Sequence, residues 1–302
     1  MTTTHPPLTL RVAAVNVKRG CWNRTNRHHN FDLLMDMLGP LEHAPHILFM
    51  SECSHFLDFN REPLFEVLER LDSLWGYEID QNGRTSTQDT YRAFVSTVPN
   101  SINVPGLFVC SRYVRPRRWY DGDTRHVYAN TLDAEIGGRV YSLKSVHWNG
   151  SRGEVGFLEQ ADMYGQMGSR PMVMGGDFNC TSDEPDEVTY EDWGRRCDAT
   201  GRPWARSQKG ARTPDGWVTN TAYSRFLEHG WWDAGSEAKD YTVTTNTSAD
   251  GGSELRIDRI AVSDQAMVTL VPESYTVHTP PPDRVVSDHR VVECQLTFGD
   301  WR

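Results

Sequence analysis

The chain has 302 residues, of which 38% are apolar and 11% aromatic, which is enough for a sizeable hydrophobic core and excludes the composition of a disordered chain. Lys and Arg total 31 against 41 Asp and Glu, a formal net charge of −10 that argues against broad, non-specific attraction to nucleic acid but not against a local basic groove. No stretch approaches the roughly 18 consecutive apolar residues of a membrane span, and the N-terminus lacks the pattern of a secretion signal.

The first part of the chain predicts alternating strands and helices. Residues 8–16 form an apolar, strand-like run. Apolar side chains spaced i, i+3, i+4 and i+7 then predict a helix that begins at Phe31 and ends near Gly39. A short strand is predicted over 46–52, and a second helix begins near Pro63, which is tolerated in a first turn.

The rest of the chain predicts mainly strands. Residues 127–136 and 139–147 are expected to form a hairpin, because the Gly137-Gly138 dipeptide between them is typical of tight turns. Further strands are predicted over 106–112, 171–178, 254–263, 267–279 and 290–298, and helices over 154–167, 185–196 and 221–229. The region 180–253 is otherwise polar and irregular.

This order of elements predicts the fold class. Strands and helices alternate, a hairpin interrupts them, and more strands follow, which suits two packed sheets with helices on their outer faces. We therefore predict an α+β fold, a four-layer αββα sandwich in which two mixed or antiparallel sheets are flanked by helices. No internal repeat or low-complexity linker divides the chain, so residues 1–302 are treated as one domain.

The cysteines indicate a reducing environment. They are scattered along the chain, and no pair has the spacing of a metal site or a redox motif; they stand at positions 21, 53, 110, 180, 197 and 294. We expect free thiols and a cytoplasmic location.

Several of the apolar runs end in residues that bind metal ions, move protons or hold oxyanions. These residues are Asn16, Glu52, His147, Asp177, Asn179, Asp258, Asp288 and His289. Brought to one place, they would form a metal-assisted hydrolytic site.

Asp177 and Asn179 follow the predicted strand that ends near Met174. The Gly175-Gly176 dipeptide is expected to let the backbone turn sharply there, and the side chains at i and i+2 share one side if the strand continues. A carboxylate beside a carboxamide can orient a water and donate a hydrogen bond to a phosphoryl oxygen. The alternative is an ordinary Asx turn after a strand.

Asp258 lies between apolar strand residues, where a carboxylate is costly unless it is paired. A histidine partner would meet that need and orient the imidazole; the alternative is a surface Asp paired with Arg256 or Arg259. His289 could act on a proton, since imidazole titrates near neutral pH, and Asp288 could contact a metal ion. The alternative for these two is a capping motif before a strand.

Glu52, His147 and Asn16 each close a strand. A carboxylate at Glu52 is well placed to bind Mg²⁺, which prefers oxygen ligands. Each of the three, taken alone, is more often structural or solvated than catalytic.

The ordered set resembles the endonuclease/exonuclease/phosphatase superfamily of divalent-metal phosphoesterases, which includes deoxyribonucleases, AP endonucleases, sphingomyelinases, inositol polyphosphate 5-phosphatases and deadenylases. Gly-Gly-Asp-Phe-Asn at 175–179 and Ser-Asp-His at 287–289 are the most specific elements, and the resemblance runs from Asn16 to His289. It implies a phosphoester hydrolase that uses Mg²⁺ or Mn²⁺.

The resemblance also implies the ligands of the metal. Glu52 would be the principal ligand, with Asn16 beside it and Asp288 in the metal environment. The chain departs from the common pattern at Val-Asn-Val-Lys (15–18) and Ser-Glu-Cys (51–53), and Arg259 stands where an aromatic residue is frequent. These departures indicate a divergent branch.

The catalytic residues are implied in the same way. Asp177 and Asn179 would position the nucleophile and stabilise the phosphorane, and His289, oriented by Asp258, would act as general base or acid. His147 stands where the family has His or Tyr. Because Tyr is typical of the AP-endonuclease branch, cleavage at AP sites is disfavoured.

The substrate is the least determined part of the prediction. Arginines alternate with aromatic residues over 112–120 and 202–212, a combination that can clamp phosphates and stack bases, although ordinary solvated loops are the alternative. The candidate substrate-binding residues are Arg112, Arg117, Arg118, Trp148 and Arg206. We expect a monomer acting on a nucleotide or other small organic phosphate; the alternatives are a DNA or RNA endo- or exonuclease and, less favoured, a non-catalytic binding protein with the same fold.

Overall fold

The computed structural model describes residues 6–23, 25, 28–75, 90–97, 104–122, 130–149, 153–182, 184, 187, 211–212, 218–219, 221–245, 255–279 and 287–299. Its strands are β1 (Leu8–Asn16), β2 (Trp22–Asn23), β3 (His28–His29), β4 (Ile47–Ser51), β5 (Tyr91–Val95), β6 (Gly106–Cys110), β7 (Arg115–Tyr120), β8 (Thr131–Ile136), β9 (Arg139–His147), β10 (Met172–Asp177), β11 (Ala211–Arg212), β12 (Val218–Thr219), β13 (Trp231–Asp233), β14 (Asp258–Ser263), β15 (Val268–Leu270), β16 (Thr276–His278) and β17 (Val291–Phe298). Its α-helices are α1 (Phe31–Leu38), α2 (Asp58–Trp75), α3 (Gly153–Gly165), α4 (Thr221–Glu228) and α5 (Ala234–Ala238).

The strands form two large sheets. The first has the order β15-β17-β1-β4-β6-β5, with β16 also paired to β17, and the second has the order β13-β14-β10-β9-β8-β7. Each sheet contains one parallel pair, β1 with β4 and β9 with β10. Their other pairings are antiparallel. The two sheets are therefore mixed, as predicted.

Three apolar cores separate four layers. The inner core joins the two sheets and contains Phe49 and Leu143. A second core, with Leu34 and Val67, packs α1 and α2 on the first sheet, and a third, with Phe157, packs α3 and α4 on the second. The predicted αββα sandwich is confirmed. None of the described helices combines the length and apolarity needed to cross a bilayer.

The sequence predicted some elements better than others. The strands over 8–16 and 139–147 have the predicted bounds, whereas the single strand over 267–279 is wrong, because β15 and β16 are separated by a turn. Strands β5, β7 and β13 were not predicted; β7 is an edge strand rich in Arg, the composition that protects an edge from further pairing. The helix predicted over 185–196 lies outside the described residues.

The expectation of a sharp turn at Gly175-Gly176 is wrong, because β10 continues through them to Asp177. The glycines serve a close approach between the sheets instead. A Cβ on Gly175 would lie 2.3 Å from Cδ2 of Phe49 on the facing sheet, and one on Gly176, whose φ is +133°, would lie 2.2 Å from the carbonyl oxygen of Val146. Only residues without a Cβ fit both positions.

Two serine hydroxyls join the sheets at this same end. Ser51 Oγ donates to the Val146 carbonyl (2.7 Å) and accepts from the Asp177 amide (3.0 Å). Ser145 Oγ donates to the Met50 carbonyl (2.9 Å). The two layers are thus held together by buried hydrogen bonds directly beneath the residues predicted to be functional.

Candidate active site

The register of the strands brings the predicted residues to one edge of the sandwich. Asn16 ends β1 beside the last residue of β4, and Glu52 follows β4. On the second sheet, Asp177 is paired with His147 on one side and with Asp258 on the other. Residues 287–289 lie just before β17, which pairs with β1. The carboxyl ends of both parallel pairs therefore meet at the site.

Asn16 connects the two sheets. Its side chain is fully buried, and its Nδ2 donates to Glu52 Oε1 (3.1 Å) and to Asp177 Oδ2 (3.0 Å). Its Oδ1 accepts from the Lys18 amide (2.9 Å). In this arrangement Asn16 aligns two carboxylates that would otherwise repel each other.

Glu52 has the left-handed conformation, with φ of 61°. A non-glycine residue pays about 1–3 kcal/mol for such a conformation, which persists only where the surroundings enforce it. Here the Arg19 amide donates to Glu52 Oε2 (2.8 Å), and Asn16 holds the other oxygen. The carboxylate is consequently fixed at the edge of the site.

Asp177 and Asn179 form a compact turn. Asp177 is buried, and its Oδ1 accepts from the Asn179 amide (2.7 Å), so the Asx turn considered as the alternative is present. Asn179 has φ of 53°, and its Nδ2 donates to the Trp148 carbonyl (2.9 Å). The turn keeps the carboxylate and the carboxamide together, which is the pairing the catalytic hypothesis requires.

His289 and Asp258 form the predicted pair. The His289 Nδ1 and Asp258 Oδ2 atoms are 2.8 Å apart, and the Thr244 hydroxyl accepts from the Asp258 amide (2.9 Å). Asp258 is fully buried, so the alternative of a surface Asp is wrong. The Nε2 atoms of His289 and His147 lie 3.8 Å and 3.4 Å from Asp177 Oδ2.

These carboxylates change the protonation of His289. Burial alone would lower the pKa of its ring, but the charge and hydrogen bond of Asp258, together with Asp177 and Asp288, raise the pKa to about 10. A ring that holds its proton this firmly is suited to binding or protonating an anionic oxygen.

Four carboxylates share this edge, and their chemistry fits a hard divalent cation, which prefers oxygen ligands. Glu52 and Asp288 would hold it, with Asn16 alongside; Lys18 Nζ lies 3.4 Å from Asp288 Oδ2. Ligand atoms of Asp177, Asp258 and His289 also lie within 4.8 Å of one another. We interpret that second group as a proton-transfer set, because Asp258 Oδ2 is already bonded to His289.

A buried ionic cluster lies behind Asp258. The guanidinium groups of Arg256 and Arg259 are fully buried and both contact Asp233 and Glu187. The Cζ of Arg259 lies 4.0 Å from the centre of the Tyr223 ring. This cluster was not predicted, although two arginines flanking an Asp in an apolar strand indicate that further carboxylates are needed to pair them.

Most of the predicted substrate-binding residues lie away from this edge. Strand β6 runs antiparallel to β4, with Gly106 opposite Met50, so Arg112, which follows β6, lies at the end where β4 begins. Arg117 is engaged by Glu135 on the neighbouring strand. Neither position supports the prediction that these two arginines contact the substrate, which remains untested.

The positions of Arg118 and Trp148 also give no support to a substrate contact, for different reasons. Across the second sheet, Arg118 is paired with Asp133, and Asp133 is paired with Ser142. Ser142 precedes His147 by five residues of β9, which is about 17 Å, so Arg118 lies far from the site. The indole of Trp148 is fully buried within the third core. Arg206 lies outside the described residues.

Three site contacts were not predicted. The Ser51 hydroxyl, the Thr244 hydroxyl and the Arg19 amide hold Asp177, Asp258 and Glu52, respectively. Ser51 is adjacent to Glu52, but no periodicity marks a backbone amide or a hydroxyl that acts across two sheets.

The chain is similar to known proteins in its fold. No family model matches the chain, and no curated protein matches it. Among solved structures, an AP endonuclease from Archaeoglobus fulgidus is 15% identical, with a TM-score of 0.57 over 94% of this chain and 98% of that one. An endonuclease/exonuclease/phosphatase protein from Bacteroides vulgatus is 15% identical, with a TM-score of 0.60 over 96% and 99%.

A third similar structure is the 3' phosphatase NExo from Neisseria bound to a product DNA hairpin, 16% identical with a TM-score of 0.54 over 97% of this chain and 100% of that one. All three span nearly the whole chain, so the resemblance found in the motifs is confirmed at the level of the fold.

Proposed function

We propose that this chain, whose fold is that of endonuclease/exonuclease/phosphatase structures, is a divalent-metal-dependent phosphoester hydrolase acting on a nucleotide or other small organic phosphate. The observation that carries the proposal is the hydrogen-bonded network at the seam of the two sheets: Asn16 joins Glu52 to Asp177, and Asp258 is bonded to His289. A solely structural role would not require so many strand-end polar groups at one edge.

In the proposed reaction, water attacks phosphorus in line with the departing oxygen. Asp177 would accept a hydrogen bond from the water and position it, Asn179 Nδ2 would donate to a non-bridging oxygen, and His289 Nε2 would transfer a proton. Asp258 would keep the ring in place through its hydrogen bond to Nδ1. His147, whose Nε2 faces Asp177, would assist charge stabilisation or the leaving group.

Glu52, Asn16 and Asp288 would hold the cation, which we propose to be Mg²⁺ or Mn²⁺. When bound, it would supply Lewis-acid stabilisation of the phosphoryl oxygens and offset the charge of the carboxylates. We also propose that the chain works as a monomer in the cytoplasm; the five described cysteines are free thiols, in keeping with a reducing compartment.

A nuclease acting on DNA or RNA is the second candidate. The product DNA hairpin bound by the similar NExo structure favours it, whereas the net charge of −10 argues against strong, non-specific binding to nucleic acid. A metal-supplemented panel of plasmid DNA, single-stranded DNA, RNA, mononucleotides and bis(p-nitrophenyl) phosphate distinguishes the two candidates.

The catalytic assignment is tested by His289→Ala and Asp177→Ala. Each should lower kcat on whichever substrate is hydrolysed by about 10²–10⁴-fold, because each removes a group that acts on the nucleophile or its proton. EDTA should abolish turnover, and Mg²⁺ or Mn²⁺ should restore it.

A matched control is His229→Ala. His229 also pairs with a carboxylate, that of Asp162, but it lies next to β13, whose Trp231 is paired with Ser263 at the opposite end of β14 from Asp258. Its loss should leave kcat unchanged. Turnover close to wild type in a folded His289→Ala protein would refute the assignment.

A further inference from the structure

Two loops meet beside Glu52 and carry aromatic side chains, of which Trp22 is half-buried and His55 exposed. The loop after β1 contacts the loop after β4, because the Arg19 amide donates to Glu52 and a Cβ on Gly20 would lie 2.2 Å from the Ser54 carbonyl. Trp22 is three residues from Arg19, and His55 is three residues from Glu52. Three residues of chain span at most roughly 10 Å, so Trp22 lies within that distance of Arg19, and His55 lies within it of Glu52.

Trp22 and His55 stack on each other across this contact. Their ring centroids are 4.8 Å apart with an interplanar angle of 29°, and His29 meets the Trp22 ring edge-on at 4.9 Å. His55 Nδ1 is 2.8 Å from Asp58 Oδ2, yet 43% of its side chain is exposed. The pair is thus held in place, with His55 open to solvent and Trp22 half-buried.

A third aromatic residue, Phe59, is four residues beyond His55 in the chain. It follows Asp58, the partner of His55, and is 66% exposed. Phe59, Asn60 and Arg61 all have left-handed backbone conformations, with φ of 49°, 58° and 70°, each of which costs about 1–3 kcal/mol. An exposed Phe on a strained turn is not explained by packing. We refer to Trp22, His55 and Phe59 as the aromatic rim.

We propose that the aromatic rim is a base-stacking subsite, so that the substrate of the proposed hydrolase carries a nucleobase next to the scissile phosphate. This inference rests on the proposed function. Planar π surfaces bind any nucleobase through stacking, which contributes about 1–3 kcal/mol per base. Lys18 and Arg19 are on the same loop as Trp22, and Lys18 Nζ lies 3.4 Å from Asp288 Oδ2, so this loop brings positive charge to the site.

The rim also constrains the form of the substrate. Bases inside a duplex are covered by their neighbours, so an exposed ring can stack only on unpaired bases. The shared chemistry is an accessible nucleobase, which either a single strand or a free nucleotide can supply.

Binding measurements without hydrolysis test the proposal. Fluorescence anisotropy in EDTA would compare a labelled oligothymidylate with a strand of equal length in which every nucleotide is a baseless tetrahydrofuran phosphodiester. Wild-type protein should bind oligothymidylate about 5- to 150-fold more tightly, the equivalent of stacking on one base. Competition by thymidine monophosphate would distinguish a free-nucleotide site from a strand-binding one.

Substitutions in the aromatic rim test whether it causes the preference for oligothymidylate over the baseless strand. Trp22→Ala should remove most of it and Trp22→Phe should retain it, while Phe59→Ala, which alters an exposed side chain and should not disturb folding, should reduce it. The control is Phe65→Ala on the regular part of α2, where the side chain is 61% exposed; it should leave the preference unchanged.

Equal binding of the two strands by wild-type protein would overturn the inference, as would an equal loss on both strands in Trp22→Ala, which would show that Trp22 only supports the Glu52 loop. The proposed hydrolase fails separately, if no substrate in the metal-supplemented panel is hydrolysed while the binding preference remains.

Discussion

At the scale of single residues, Gly176 satisfies two requirements at once. Its φ of +133° is a conformation that L side chains rarely adopt, and its α-carbon faces the Val146 carbonyl too closely for a Cβ. It also precedes Asp177, whose carboxylate is bonded to Asn16. The geometry of the site therefore depends on a residue that has no functional group.

Gly176→Ala should destabilise the protein by about 2–6 kcal/mol, the sum of about 1–3 kcal/mol of backbone strain and about 1–3 kcal/mol of overpacking. Gly122→Ala is the control, since Gly122 has a similar φ of +148° but nothing within 4 Å of its would-be Cβ; it should cost about 1–3 kcal/mol. Urea denaturation measures both values. Equal losses would show that the approach of the two sheets contributes nothing.

At the scale of elements, Ser51 and Ser145 form comparable hydrogen bonds between β4 and β9, but they differ in what else they contact. Both donate to a carbonyl of the facing sheet. Ser51 alone also accepts from the Asp177 amide. Comparing the two serines therefore separates the docking of the sheets from the placement of Asp177, the proposed catalytic carboxylate.

Ser51→Ala and Ser145→Ala should each destabilise the fold by about 0.5–1.5 kcal/mol, because each removes a buried hydrogen bond between the sheets. Ser51→Ala should in addition lower kcat, since it frees the Asp177 amide, whereas Ser145→Ala should leave kcat near the wild-type value. Thermal unfolding and steady-state kinetics on the same preparations provide the comparison. An equal effect of the two variants on kcat would contradict the role given to Ser51.

At the scale of the whole molecule, the buried ionic cluster makes stability depend on pH. Burial alone would raise the pKa values of Asp233 and Glu187, but the charges of Arg256 and Arg259 lower both below their ordinary values of 3.8 and 4.5. Groups with lowered pKa values stabilise the fold fully above their unfolded pKa values, and this contribution is lost as the pH falls through the folded ones.

Wild-type stability should consequently fall as the pH is lowered below about 4. Glu187→Gln should cost about 3–5 kcal/mol at neutral pH, because it leaves buried guanidinium charge uncompensated, and its stability should vary less with pH below that point. Urea denaturation across the acidic range measures both. A parallel pH dependence in the two proteins would exclude Glu187 as a contributor.

The Asp258–His289 pair could be predicted from the sequence because a carboxylate inside an apolar strand needs a partner, and the family motifs supply one. The function of Gly175-Gly176 could not, since it depends on Phe49 in a sheet remote in sequence. The same limit applies to Arg112 and Arg118. The mixture of arginines and aromatic residues around them suggests phosphate binding. The register of β6 and β7, which composition does not encode, places both arginines away from the site.

Because the site is divided between the two sheets, it can form only late in folding. The first sheet and its loops supply Asn16, Glu52 and His289, and the second supplies Asp177 and Asp258. A nascent or truncated chain that stops before residue 287 lacks His289, and one in which only the first layer has formed lacks Asp177 and Asp258. The proposed hydrolase would therefore stay inactive while it folds, since phosphoester cleavage would begin only after both layers have joined.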